Sequence, residues 1–484
     1  MKNVRHFTAA LLALLSIASL AACGSDSTGA KTTDTAAGGD TTAAVTEPVK
    51  PDHLDSLGEY DYGGETYNML VREWKVNDIL VDDAIGEVYN DAVYARNQKI
   101  EERFNIDFTM QTLPEDGATW NKQLGASVMA NDGAYDVVMP DYWWGCETGG
   151  FFLNMLDYAD IMDFSQPWWT SGWNNNAEIY DQMYSAVGSL CTDIYSNTIA
   201  VFFSKTLINS LDMDSPYDLV RNRTWTLEKM KEMSAQSSAD LNGDGVLNLE
   251  TDQYGMFFDL QSGRALLPSS GWKTSTKQED GSYAYEFWGD DFVALYDEIY
   301  DIIWNMESVS YKGDNAANAF KNDRLLFFMQ GIGVSANLRD METDFGIVPY
   351  PLRNEDQEDY ISYNFGTFYL AIPKSASDPE MSAVILEALN AETYNTVKDA
   401  YFEINMKEKF SRDADTQEML DMIIDNLRFD FTFVNESATD HIVMYFFDQI
   451  AAKNKNVTSA YEKKEKAFQK RLEKLFETYA DSVE

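Results

Sequence analysis

Tyr135-Asp136-Val137-Val138-Met139-Pro140-Asp141-Tyr142-Trp143-Trp144 is the stretch on which the fold turns. A short apolar run stopped by proline reads as a buried strand, because proline has no N–H to give to a sheet ladder. Upstream, Thr66 to Val71 is another strand-like run, ending at Arg72-Glu73-Trp74. Ala84 to Phe104 carries Ile85, Val88, Ala92, Val93, Ile100 and Phe104 near helical spacing, and Ile106 to Met110 is a further strand. A helix around Trp120 to Ala130 then leads into the quoted stretch. This alternation predicts a parallel sheet covered by helices. Open sheets of that kind bind ligands beyond the carboxyl ends of their strands, where Trp74 and the Asp141 to Trp144 loop both fall.

Downstream, Phe152 to Met162 and Pro167-Trp168-Trp169 with Trp173 form an aromatic region. Ile194 to Phe203 is an apolar strand, and the chain is expected to cross into a second lobe between about Gly188 and Ser204. Thr224 or Thr226 caps a helix start. Tyr254 to Leu260 reads as a strand, Asp290 to Met306 as a helix, and Phe320 to Gln330 ends in the strand Leu325 to Met329. Phe345-Gly346-Ile347-Val348-Pro349-Tyr350-Pro351 marks a second crossing, Tyr363 to Ile372 another strand, and the tail from Pro379 is mainly helical. Its last helix, from about Ser459 to Tyr479, presents a Lys/Glu-rich solvated face. So long a body exceeds one core. The expected division is a first lobe over 56–195, with 345–395 returning to it, and a second over 196–344, with 396–484 packing mainly on it.

Ahead of the body, Lys2 and Arg5 precede an apolar run from Ala9 to Leu20 that is too short for a permanent membrane span, so residues 1–22 read as a secretion signal. Leu20-Ala21-Ala22-Cys23 resembles the bacterial lipoprotein box, in which the cysteine takes a diacylglycerol group. That resemblance implies lipidation of Cys23 and a protein held on the outer face of the cytoplasmic membrane, its only membrane contact being the lipid. From Gly24 to about Lys50 the chain is rich in Ser, Thr, Gly, Ala and Asp without an aromatic residue, and residues 23–55 are read as a flexible tether.

The formal net charge of −43 excludes nucleic acid as a partner, since phosphate binding needs a basic face. Besides Cys23 there are only Cys146 and Cys191, and outside the signal only His53 and His441, so a zinc site or a histidine-based triad is hard to build. His53 lies beside the tether and His441 in a helical stretch. Cys146 and Cys191 either pair, as an extracellular setting permits, or stand as two buried thiols. There is no Gly-rich Lys loop for ATP.

The most specific short motif is Asp240-Leu241-Asn242-Gly243-Asp244-Gly245-Val246-Leu247-Asn248, followed by Glu250 and Asp252. Oxygen side chains at positions one, three, five and nine, glycine at six and the Val246 carbonyl at seven are what a calcium loop wraps around a hard cation. Position twelve, where an acid is expected, is Thr251, with acids on either side. A structural Ca2+ is expected in this single loop, against the alternative of a metal-free Asn/Gly/Asp turn.

Arg96-Asn97, Ile100-Glu101-Glu102-Arg103-Phe104, Tyr135 to Val138, Pro167-Trp168-Trp169, Val201-Phe202-Phe203-Ser204-Lys205, Trp225-Thr226, the Asp/Asn/Gly loop with Tyr254-Gly255, and Gly346 to Pro351 follow the lipoprotein box and tether in that order. Together they resemble the extracellular solute-binding proteins of ABC importers, in the carbohydrate-type family that includes the maltodextrin-binding proteins. The resemblance implies a two-lobed α/β fold, a sugar or oligosaccharide held in the interlobe cleft, and delivery to ABC permease subunits. It also places an acid and aromatics against the sugar in the loop after Val138, here Asp141, Trp143 and Trp144. Arg72, Glu73, Trp74, Trp272 and Asn364 are further candidates, since sugars take flat aromatic faces and planar hydrogen-bonding groups. Against each tryptophan stands core packing. A cell-surface glycoside hydrolase shares this equipment, but no carboxylate pair stands out. A peptide or other non-sugar solute is the second alternative.

Overall fold

In the computed structural model residues 53–402 and 414–480 are described. The signal segment, Cys23 and nearly all of the tether lie outside the described residues.

The first sheet is wholly parallel, with β1 (Glu65–Arg72) between β2 (Ile106–Leu113) and β3 (Val137–Val138). Ile100 and Phe104 bury the inner face of the helix Val88–Phe104 in the same core as β1. That helix starts at Val88 and not at Ala84. The amides of Ile85 and Gly86 are taken by Asp91 Oδ1 at 2.9 and 3.1 Å, and Gly86 sits at φ +84°. Asp116 caps the next helix, Gly117–Ala130, by accepting from the Ala118 and Thr119 amides.

The second sheet contains β4 (Ile199–Ser204) and β5 (Tyr254–Phe258). After the small hairpin of β6 (Ser275–Lys277) and β7 (Tyr283–Tyr285) come β8 (Val309–Tyr311), β9 (Leu325–Gly331) and β10 (Phe345–Val348). Its order is β10-β4-β9-β5-β8. It is mixed: β8, β5 and β9 are parallel, and β4 runs against both β9 and β10.

Two expectations change here. Phe345–Val348, assigned above to the first lobe, is buried throughout and pairs with β4, so the return crossing lies further on. Tyr363 to Ile372 is not a ladder strand but an extended segment making single bridges to several partners. Asn364 bridges Thr198 at the joint, while Leu370 and Ala371 bridge Ala186 and Val138 in the first lobe. Ser362 bridges Leu427, so three passes of the chain lie side by side where the lobes meet.

The tail packs on the second lobe, where Arg264 pairs with Asp448 and Trp304 donates to the Ile450 carbonyl, and it reaches the first lobe as well. Asp415 and Glu418 pair with Arg221 in the second, whereas Phe429 meets Trp173 edge-on at 5.5 Å and Gln182 donates to the Tyr479 carbonyl at 3.0 Å in the first. His441 precedes the helix Ile442–Ala451 at φ +57° instead of lying within it. Among the described residues no helix is long and apolar enough to cross a membrane.

Candidate functional site

β1 ends in Arg72 and the pass after β3 opens with Asp141, so parallel pairing brings a cation and an acid to the same edge of the first sheet. Arg72 is 2 % exposed and is held from two sides: one terminal nitrogen donates to Asp141, the other to Asp193 Oδ2 at 2.7 Å. Asp193 also pairs with Lys75, which reaches Asp78 at 2.9 Å. Burial pulls the Lys75 ammonium down, but the Asp193 and Asp78 carboxylates outweigh it and the net shift is upward. The Arg72 guanidinium lies 4.5 Å from the Trp74 ring centre and 5.1 Å from that of Phe368, so its stem and faces are covered.

Two buried atoms of this cluster remain unpaired, Arg72 Nε and Asp141 Oδ1. Burial raises the Asp141 carboxyl to about 7, with Arg72 opposing the rise. A donor and an acceptor without partners are costly unless something else meets them.

The aromatic walls come from Trp74, 52 % exposed with its indole N–H on Glu115, and from the turn Tyr142–Trp144. Trp143 is 39 % exposed and stacks on buried Tyr142 with ring centres 5.5 Å apart. Trp144 packs more deeply, tilted on Trp120 at 5.3 Å and over Gly117, where a Cβ would come within 2.9 Å of the Trp144 ring. With Asn197, Gln261, Phe365 and Gly366 from the joint and the second lobe, these residues bound a cleft of about 430 Å³. That volume lies within the range of small-molecule sites.

The structure therefore unites Arg72, Trp74, Asp141, Trp143 and Trp144. Glu73 is exposed and does not line the cleft. Asn364 is 1 % exposed and staples the joint, donating to the Asp193 carbonyl at 3.0 Å and to the Thr198 hydroxyl. Trp272 lines a separate cavity of about 340 Å³, its ring stacked on Phe292 and its N–H on the Phe287 carbonyl. Glu115, Asp193, Asn197, Gln261, Phe365 and Gly366 had not been singled out. Gln261 could have been, since it follows the carboxyl end of β5 just as Asp141 follows that of β3.

The Asp240 to Asp252 loop is held by its own amides. Asp240 accepts from Gly243 and Gly245 at 2.7 and 2.8 Å, Asp244 from Val246 at 2.8 Å, and Asn248 from Glu250 at 2.9 Å. Fully buried Asp252 accepts from the amides of Leu241 and Asn248, while Glu250 turns outward to Asn315. Among the described residues no three Asp, Glu, His or Cys side chains converge as a metal cluster. Cys146 and Cys191 are buried free thiols, both pushed up by burial.

No family profile and no curated protein matches this chain in sequence. Solved structures do match in fold. UgpB from Mycobacterium tuberculosis, in complex with glycerophosphocholine, aligns with a TM-score of 0.55 at 16 % identity over 85 % of this chain and 99 % of its own. A cyclo/maltodextrin-binding protein complexed with maltotetraose gives 0.54 at 10 %, over 87 % and 98 %. An ABC substrate-binding protein from Listeria monocytogenes in complex with cycloalternan gives 0.51 at 11 %, over 86 % and 99 %. The chain has the two-lobed fold of these binding proteins. At such identities the likeness concerns the fold, which is the α/β architecture read from the sequence, with a cleft at the joint of the lobes.

Proposed function

We propose that the protein captures a sugar or oligosaccharide in the cleft between its lobes and hands it to ABC permease subunits, acting as a binder and not as an enzyme. The observation that carries this reading is the cleft itself: two half-open tryptophans flank a rigid Arg72–Asp141–Asp193 cluster in which one donor and one acceptor are left unpaired. Tryptophan faces suit the C–H side of a pyranose ring, and the unpaired atoms suit its hydroxyls. The cyclo/maltodextrin-binding and cycloalternan-bound proteins of like fold bind glycans, which agrees with it, whereas the glycerophosphocholine complex keeps other solutes as the second reading. Lipidation at Cys23 and residence on the outer face of the cytoplasmic membrane complete the proposal, on the strength of the tetrad and the tether.

The test is thermal unfolding against a panel of mono- and oligosaccharides, with the glycan analysed afterwards. A ligand that binds only the folded state raises the midpoint, by about 2.7 kcal/mol of stability at a hundred times its Kd. A rise with the glycan recovered intact is the expected outcome. A cleaved glycan would make the protein a hydrolase, and no rise with any glycan would move the reading to other solutes.

Calcium remains part of the proposal for the Asp240 to Asp252 loop, supported by the oxygen spacing, by Gly245 at φ +81° and by Asp252 at the loop base. Because the acids already serve loop amides, the ion would share them. The expected result is a higher unfolding midpoint in Ca2+ than in chelator. Equal midpoints with no calorimetric binding would leave a metal-free turn.

A further inference from the structure

The cavity that contains Trp272 has no role in the reading above. We propose that it receives the carboxylate-bearing end ring of an acidic oligosaccharide whose neutral rings occupy the cleft. This rests on the sugar-capture reading and narrows it to a substrate class.

The first support is continuity. Ile361 and Tyr363 line the cavity, and Phe365, two residues on along the same extended crossing segment, lines the cleft. Alternate residues of an extended chain share a face and lie about 6.6 Å apart. A second line of contact runs beneath. Phe433 of the cavity stacks on Tyr142 at 4.7 Å, and Tyr142 stacks on Trp143 of the cleft. Cleft and cavity are thus neighbours across a buried aromatic layer, Tyr142 being fully buried and Phe433 3 % exposed.

Charge is the second support. In the cleft the cations are paired: Arg72 and Lys75 are held by Asp141, Asp193 and Asp78, and Glu115 stands nearby. A carboxylate placed there would face three acids of the lining. The cavity is the opposite. Arg428, exposed at its rim, gives its backbone N–H to the Ser362 carbonyl, and its guanidinium forms no ion pair among the described residues. Among the described residues Lys273 meets the Thr276 hydroxyl and, loosely, Glu286 at 4.0 Å. The one acid of the lining, Asp430, is engaged by the Thr274 and Thr432 amides at 3.2 and 3.0 Å and by the hydroxyls of Thr274, Ser275 and Thr432. Tyr363 is 4 % exposed and its buried hydroxyl has no partner.

Chemistry then selects the occupant. A guanidinium offers a fork that matches a carboxylate through two parallel hydrogen bonds. Trp272, Phe429 and Phe433 line the cavity with aromatic carbon, and the 340 Å³ volume is small enough to hold an end and not a whole chain. A protein of net charge −43 that sets beside one aromatic cavity a lysine that is loosely held and an arginine with no ion pair among the described residues is equipped for an anion at that point.

The experiment is calorimetric titration with pairs of gluco-, galacto- and manno-tetrasaccharides, each pair comprising the neutral compound and the same compound carrying a terminal C6 carboxylate. In a pair that binds, the acidic member is expected to bind about tenfold or more tightly, an advantage that shrinks with salt. In Arg428→Gln, whose thermal midpoint verifies folding, the ratio of the two affinities is expected to fall to about one. Equal affinities, or a ratio untouched in that variant, would overturn the acidic end and leave sugar capture standing. Binding by neither member of any pair would take sugar capture down, and this proposal with it.

Discussion

Asp193→Asn removes one charge from a place where two buried cations depend on it. Asp193 is 1 % exposed, and its two oxygens meet Arg72 at 2.7 Å and Lys75. Each charge-assisted bond contributes about 1.5–3 kcal/mol, and breaking one partner of a buried pair costs about 3–5 kcal/mol. The asparagine keeps one acceptor oxygen, and Arg72 and Lys75 keep Asp141 and Asp78, so the lower end applies and a loss of about 3 kcal/mol is expected. Asp214→Asn is the control. It breaks the exposed 2.8 Å pair with Lys229, where under about 1 kcal/mol is expected. Urea unfolding followed by tryptophan fluorescence measures both. The pH dependence supplies a second reading. Lys75 is held above its ordinary 10.5, so the pair's contribution is complete below that pH and fades above it. The gap between the wild type and Asp193→Asn should therefore narrow as the pH rises past about 10.5. A loss no larger than that of Asp214→Asn would refute the view that Asp193 is the keystone of the cleft.

Three further outcomes are expected. Trp143→Ala should weaken glycan binding by about 10- to 100-fold, the range of a central aromatic anchor, as read by calorimetry. Trp168→Ala, whose indole N–H serves buried Glu387 at 2.8 Å, should lower the unfolding midpoint and leave affinity alone; equal affinity losses in both would remove Trp143 from the site. Burial raises the Asp141 carboxyl to about 7, and a ligand hydroxyl donating to Asp141 Oδ1 needs the ionised form. Affinity should then fall as the pH drops below about 7, by at most tenfold per unit, and a flat profile from about pH 8 to 5.5 would contradict that contact. Finally, Cys146 and Cys191 should stay silent to a thiol reagent in the native protein and both react once it is unfolded, whereas a disulfide would leave both unreactive.

The first sheet was legible because its strands announce themselves as apolar runs stopped by Pro140 or by the polar end at Arg72-Glu73. Ile85 misled the helix start: it is apolar, yet 63 % exposed, so the periodicity it extends is not a buried stripe. Pro349 and Pro351 suggested a crossing, but the four apolar residues before them needed two covered faces and found them beside β4. In the site, the carboxyl-end rule located Trp74, Asp141 and Trp143, since side chains beyond a strand end are fixed by the strand. It could not place Asp193, Asn197 or Phe365. These lie on passes between lobes, where the chain has no period and its neighbours are distant in sequence.

That difference bears on how capture would work. The passes that join the lobes also carry cleft residues: Asn197 and Gly366 line the cleft and bond to each other at 2.8 Å, and Asn364 ties the Asp193 carbonyl to Thr198. A hinge absorbs its rotation in a few backbone torsions at just such positions. On the capture reading, rotation of the lobes would act on the backbone that aims the Asp193 carboxylate at Arg72, and a ligand engaging Arg72 Nε and Asp141 Oδ1 would act on the same clamp from the other side. On the capture reading, Asn364 matters by transmitting closure to the clamp and not by touching the sugar. Its replacement by alanine should change the rate and extent of closure on ligand addition more than the chemistry of the contacts, because the side chain it removes meets only the joint.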